Sequence, residues 1–224
     1  VNELQIGKPG LFHFFFIRPF LSGFSLLLQN PRIYSSKNAA TMKNKKIILP
    51  FVVITIIIAA LAMSRLLPHP FNFSPVAALA LFGGARFSNR FAAYLIPLAA
   101  VWISDLFLNF TFFGRFVPFY EGALFTYIAF ALIVLLGSAA LRKLSAKGLL
   151  LTSLSASVIF FVISNFGVWV SGTLYPLNAT GLVACYSAAI PFFRNTIVGD
   201  LIYSFAIFYG YAYAQSRISI LKTA

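Results

Sequence analysis

Apolar residues in this chain come in long unbroken runs, with little of the alternation that marks half-buried strands. After position 46 the runs cover 47–66, 74–85, 91–110, 121–141, 148–170 and 192–214. A helix rises about 1.5 Å per residue, so roughly 20 apolar residues reach across a hydrocarbon layer of about 30 Å. The pattern predicts an all-α membrane protein, a bundle of six transmembrane helices whose second span is short. The stretch 171–191 contains Gly172, Pro176, Gly181 and Pro191. It is expected to be too broken for one regular helix.

Composition supports the membrane reading. Hydrophobic residues make up 60% of the chain and charged ones 9%, against about 25% charged in soluble domains. The net charge of +13 sits at the ends of apolar runs, which points to lipid rather than to nucleic acid. If the run 74–85 crosses, Lys43, Lys45, Lys46, Arg86, Arg90, Arg142, Lys143, Lys147, Arg217 and Lys222 fall on one side. Arg65, Arg115 and Arg194 fall on the other. A re-entrant second run gives a more even split. Positive charge stays inside, so both termini are expected in the cytoplasm, in a bacterial inner membrane. Cys185 has no second cysteine to pair with and is expected to be a packing residue.

Met42 is followed by Lys43, Asn44, Lys45 and Lys46 and then by an apolar run, a pattern common at the start of bacterial membrane proteins. Residues 1–41 are therefore expected to be a non-native or mis-started extension, and 42–224 a single six-span domain. Alternatives for the apolar stretch 11–28 are a signal segment or an extra anchor.

Past Met42 there are three acidic residues, Asp105, Glu121 and Asp200, and the topology puts all three toward the outer face. Ionisable groups inside spans are costly and usually face a cavity or a partner. Asp105 and Asn109 share a helix face, as do Asn165 and Trp169. Arg194 and Asn195 open the last run, and Tyr120, Tyr175 and Asn178 lie at similar depth. With His69 and Asn72 from "HPFNFSP" (69–75), these form a candidate small-molecule site with the 69–75 segment as its lid. Structural alternatives remain open. Asp105 or Asp200 could pair with Arg115 or Arg194 to hold helices together, the tyrosines could be interfacial anchors, and Asn165 could join helices. Gly83 and Gly84 are expected to allow close helix packing rather than to bind phosphate.

The sequence past Met42 has no GxSxG, HExxH, Cys/His metal spacing or P-loop. It is not read as an enzyme and calls for no cofactor, and any ATPase must be another chain. A membrane scaffold or sensor, and an intramembrane enzyme using Asp105 and Asp200, stay open as alternatives.

The segments "SRLLPHPFNFSPVAALALFGGARF" (64–87), "DLFLN" (105–109) and "YIAFALIVLLGSAALR" (127–142) resemble an S component, the substrate-binding membrane subunit of energy-coupling factor transporters. With "SNFGVWVSGTLYP" (164–176) and "CYSAAIPFFRNTIVGDLIY" (185–203), the chain is similar to a related uncharacterised bacterial family of putative transport proteins. The resemblance implies a six-helix bundle holding a vitamin- or metabolite-sized ligand near the outer face, with 66–75 closing the pocket. It also implies a membrane coupling subunit and cytoplasmic ABC ATPases as partners. Small residues of the first span, Ala59, Ala60, Ala62 and Ser64, are the candidates for docking on that subunit, with packing inside the bundle as the alternative.

Overall fold

The computed structural model describes residues 31–218 and 221, with side-chain surroundings from Ile48 onward. The helices are α1 (Pro31–Ser64), α2 (Val76–Arg86), α3 (Arg90–Phe113), α4 (Ala123–Ala140), α5 (Ala146–Val170) and α6 (Ala179–Arg217). No strand occurs among the described residues. The chain divides into two compact units, 1–46 and 47–224. In the first, residues 31–46 are helical, and the expectations for 11–28 lie outside the described residues. The second unit holds the rest of α1 and all of α2 to α6.

Polar residues at the ends of the apolar runs set the helix boundaries. The Asn89 side chain accepts from the amides of Phe91 and Ala92 and so caps α3. Ser145 Oγ accepts from Gly148 N at 3.1 Å to start α5, and Asn178 Oδ1 accepts from Gly181 N at 2.8 Å to start α6. Each supplies an acceptor to an amide the helix leaves unpaired.

The shortest helix occupies the centre. Every residue of α2 from Val76 to Gly84 is buried, and the helix packs against α3, α4, α5 and α6. Its contact with α4 is backbone to backbone. A Cβ at Gly84 would overlap the Val134 carbonyl, and one at Gly137 would overlap the carbonyl of Leu81. These glycines let two helix axes approach more closely than side chains allow, as expected for Gly84. Gly83 makes room for the Pro97 ring of α3. Phe82 sits edge-on to Phe208 and Tyr211 of α6, at 5.3 Å from each ring. Ile54, Ile58 and Ala62 of α1 complete this core.

Four helices, α3 to α6, are long and apolar enough to cross a membrane. Large apolar side chains such as Phe91, Leu124, Leu151 and Ile202 are exposed on the outside of the bundle. The protein is a helical membrane protein with several passes. Residues 48–64 and α2 are shorter apolar helices. Eleven residues in α2 give a length of about 16 Å, near half the hydrocarbon layer.

One expectation is corrected. Residues 179–191 are regular helix, continuous with the sixth run, so α6 has 39 residues. Only 171–178 is irregular. Pro191 forfeits one backbone hydrogen bond but does not end the helix, because the preceding turns are held from outside. Tyr186 Oη donates to the Val162 carbonyl at 2.6 Å, and Gly181 fits against the Pro176 carbonyl where a Cβ would overlap it.

Candidate functional site

Because α2 begins only at Val76, the space beyond its start is not filled by that helix. The segment 65–75 lies there over a cavity of about 670 Å³, within the usual range for small-molecule sites. Val76 and Ala77 line it, as do the last turns of α3 (Phe107 to Phe112), Tyr120, Thr126 and Phe130, then Phe160 of α5 and Thr196 and Asp200 of α6. Phe130 and Phe160 stack at 5.2 Å.

Three charged side chains, Arg65, Asp105 and Asp200, reach this cavity. Arg65 Nη1 lies 2.7 Å from Asp105 Oδ1 and donates to Ser104 Oγ at 2.6 Å. Tyr127 Oη donates to Asp105 Oδ2 at 2.8 Å. Asp105 thus ties together the end of α1, α3 and α4. Asp200 accepts one hydrogen bond, from Ser157 Oγ at 2.6 Å. The expected alternatives of Arg115 or Arg194 as partners are corrected, since among the described residues the one ion pair is Arg65–Asp105. Arg115 follows α3 in an exposed turn, and Arg194 faces outward. In the 114–122 connection, burial pushes the Tyr120 phenol above its ordinary range, with the Asp105 charge adding to the effect. The phenol therefore stays neutral and able to donate.

The segment 65–75 is tied down as well as extended across the opening. Phe73 N donates to the Pro70 carbonyl at 3.0 Å, closing a turn whose third residue, Asn72, has φ of 61°. Asparagine is among the few non-glycine residues that take this conformation readily. Asn195 Nδ2 donates to the Phe71 carbonyl at 3.0 Å. Phe71 meets Phe192 edge-on at 6.4 Å, and Phe73 packs on Tyr203 at 5.5 Å. A second cavity, of about 310 Å³, lies beside the first and shares Asn72, Phe160 and Thr196 with it.

A family model matches residues 45–221, nearly all of the six-helix unit. The chain belongs to the family of unknown function DUF6580. No curated protein and no solved structure matches it.

For this member of DUF6580, the candidate residues separate by role. His69, Asn72, Asp105, Tyr120 and Asp200 line the larger cavity, and Asn165 and Tyr175 line the smaller one. The others lie outside both. Asn109 Nδ2 donates to the Val117 carbonyl at 2.9 Å, and Trp169 Nε1 to the Pro176 carbonyl at 3.0 Å. Both fasten a connection to the helix before it. Asn195 holds the 65–75 segment, and Glu121 and Arg194 are exposed. His69 points both ring nitrogens at backbone carbonyls of its own segment, Pro70 at 2.9 Å and Arg65 at 3.2 Å. Asn165 Nδ2 donates to Phe161 of its own helix at 2.7 Å, so its amide does not join helices.

The docking candidates also divide. Ala59 and Ala60 are exposed, whereas Ala62 is buried in the core and Ser64 Oγ donates to the Leu61 carbonyl at 2.7 Å. The four do not form one outward face.

Sequence reasoning passed over Arg65, Ser157, Thr126 and Thr196 as site residues. The signal for Ser157 and Thr196 was weak, because a lone hydroxyl in a span is usually satisfied by its own helix backbone. Arg65 carried a stronger signal, as a basic residue directly following an apolar run and preceding the proline-braced segment.

Proposed function

We propose that this protein is the substrate-binding membrane subunit of an uptake system for a small polar or vitamin-like metabolite, of the S-component type. The observation that carries the reading is a metabolite-sized cavity under a tethered lid, with aromatic walls and three charged groups. In this reading 48–64 and α2 complete six spans, α2 crossing together with the extended segment 65–75. Basic residues cluster at the end holding Arg86, Arg90, Arg142, Lys143 and Lys147, so positive-inside sorting makes that end cytoplasmic and opens the cavity outward in a bacterial inner membrane. A membrane coupling subunit and ABC ATPases would supply the energy, with Ala59 and Ala60 on the face available for docking.

The Arg65–Asp105–Tyr127 network favours a structural role for that part of the polar cluster. It does not extend to Asp200. The test is gentle purification followed by mass spectrometry of the small molecules that come with the protein. A stoichiometric metabolite, lost when the lid is disrupted, is expected. A protein that carries no small molecule, and whose deletion alters no uptake, would remove the proposal in favour of a scaffold.

A further inference from the structure

We infer that the cavity takes an organic ligand bearing a protonated amine, with the Asp200 carboxylate as its counter-charge. This rests on the uptake reading above. The charged lining consists of one guanidinium and two carboxylates, Arg65, Asp105 and Asp200. Arg65 and Asp105 neutralise each other in a 2.7 Å contact, and Tyr127 takes up the second oxygen of Asp105. One carboxylate is left over.

Asp200 is 2% exposed and has no basic side chain within ion-pair distance among the described residues. Ser157 serves one of its oxygens. An unpaired carboxylate in a low-dielectric bundle is strongly unfavourable unless a positive charge comes to it or it takes up a proton. One fixed positive potential on this side of the bundle is the start of α2. There α6 runs close to the lid backbone, since a Cβ at Gly199 would lie 3.3 Å from the Ser74 amide nitrogen, and Pro75 offers no side-chain cap. A helix N-terminus supplies roughly half a charge, which does not neutralise an ionised Asp200.

The walls decide between an inorganic and an organic cation. The stacked Phe130 and Phe160 and the ring of Tyr120 line the same cavity, and aromatic faces attract ammonium groups while excluding water. A volume of about 670 Å³ is far larger than a bare ion requires. Carboxylate, aromatic walls and metabolite-sized space together fit an amine on an apolar or partly polar frame.

The experiment uses the full chain in detergent, freed of any co-purified molecule, with 2-phenylethylammonium as probe and the neutral 2-phenylethanol as its match. Calorimetry should show the ammonium binding at least tenfold more tightly, and Asp200→Asn should erase that preference while the empty protein still melts cooperatively. Equal affinity for the two probes would overturn the inference. So would a preference that survives Asp200→Asn, or binding of neither probe. Should Asp200→Asn fail to fold, the wild-type comparison still decides. The co-purified molecule gives a separate reading: a neutral or anionic metabolite removes the amine while leaving the uptake proposal standing.

Discussion

The two ends of α2 are built on opposite principles. At its C-terminal end, Gly84 and Gly137 bring backbones into direct contact, Gly83 receives the Pro97 ring, and Phe82, Ile133 and Val134 leave almost no accessible surface. At its N-terminal end the helix stops short, and residues 65–75, in turns and extended chain, roof a cavity. Close packing at one end gives the bundle a rigid base. The other end can then hold polar groups and open space without collapsing. The contrast teaches that the length of one central helix sets both features.

The largest effect should come from the sealed end. Gly84→Leu drives a side chain into the backbone of α4, which has no rotamer to yield, so the loss should exceed the about 1–3 kcal/mol of ordinary overpacking. No monodisperse protein is expected by size-exclusion chromatography. Gly210→Leu, on a glycine with open space around it, should behave as wild type. If Gly84→Leu is tolerated, the contrast between the two ends fails.

Next in size is the ion pair. Asp105→Ala leaves Arg65 without its charge partner and should cost about 3–5 kcal/mol. Pairing it with Arg65→Met should recover most of that loss, since an apolar pair of similar volume is often neutral or better. Thermal melts of the two single variants and the double variant measure the coupling. Additive losses would show that the pair does not bind the end of α1 to α3.

At the roof the effects should be smaller. Asn72→Val forces a β-branched residue into a left-handed conformation, worth about 1–2 kcal/mol, whereas Asn72→Gly should leave the melting temperature unchanged. If both variants melt alike, the conformation of the turn is not what asparagine supplies. Smallest of all, Asn195→Ala removes a single hydrogen bond to the Phe71 carbonyl, about 0.5–1.5 kcal/mol. Its visible consequence should be faster escape of the bound molecule, because a lid governs dissociation more than encounter. An unchanged off-rate would mean that the segment is a fixed roof.

Much of this architecture was legible in the chain itself. Unbroken apolar runs with almost no charge admit only helices in lipid, because backbone groups there must be satisfied within the segment. The boundaries of α3, α4 and α5 fall within a few residues of the runs, since Asn89, Gly114, Gly122 and Ser145 mark where helices start and stop. Asp105 and Asp200 stood out because charge inside an apolar run needs a reason. Their roles did not, since partners in a bundle come from other helices, as Arg65 does for Asp105, and spacing along one helix does not encode them. Asn109, Asn165, Trp169 and Asn195 gave the same signal as a binding residue, and only the folded structure showed that each bonds to backbone, Asn165 within its own helix and Asn195 across to the 65–75 segment. The sequence determined the solvent, the helices and the few polar residues that had to be explained. The tertiary structure decided which were paired, which held a loop, and which carboxylate remained, because charge neutralisation is settled by neighbours in space.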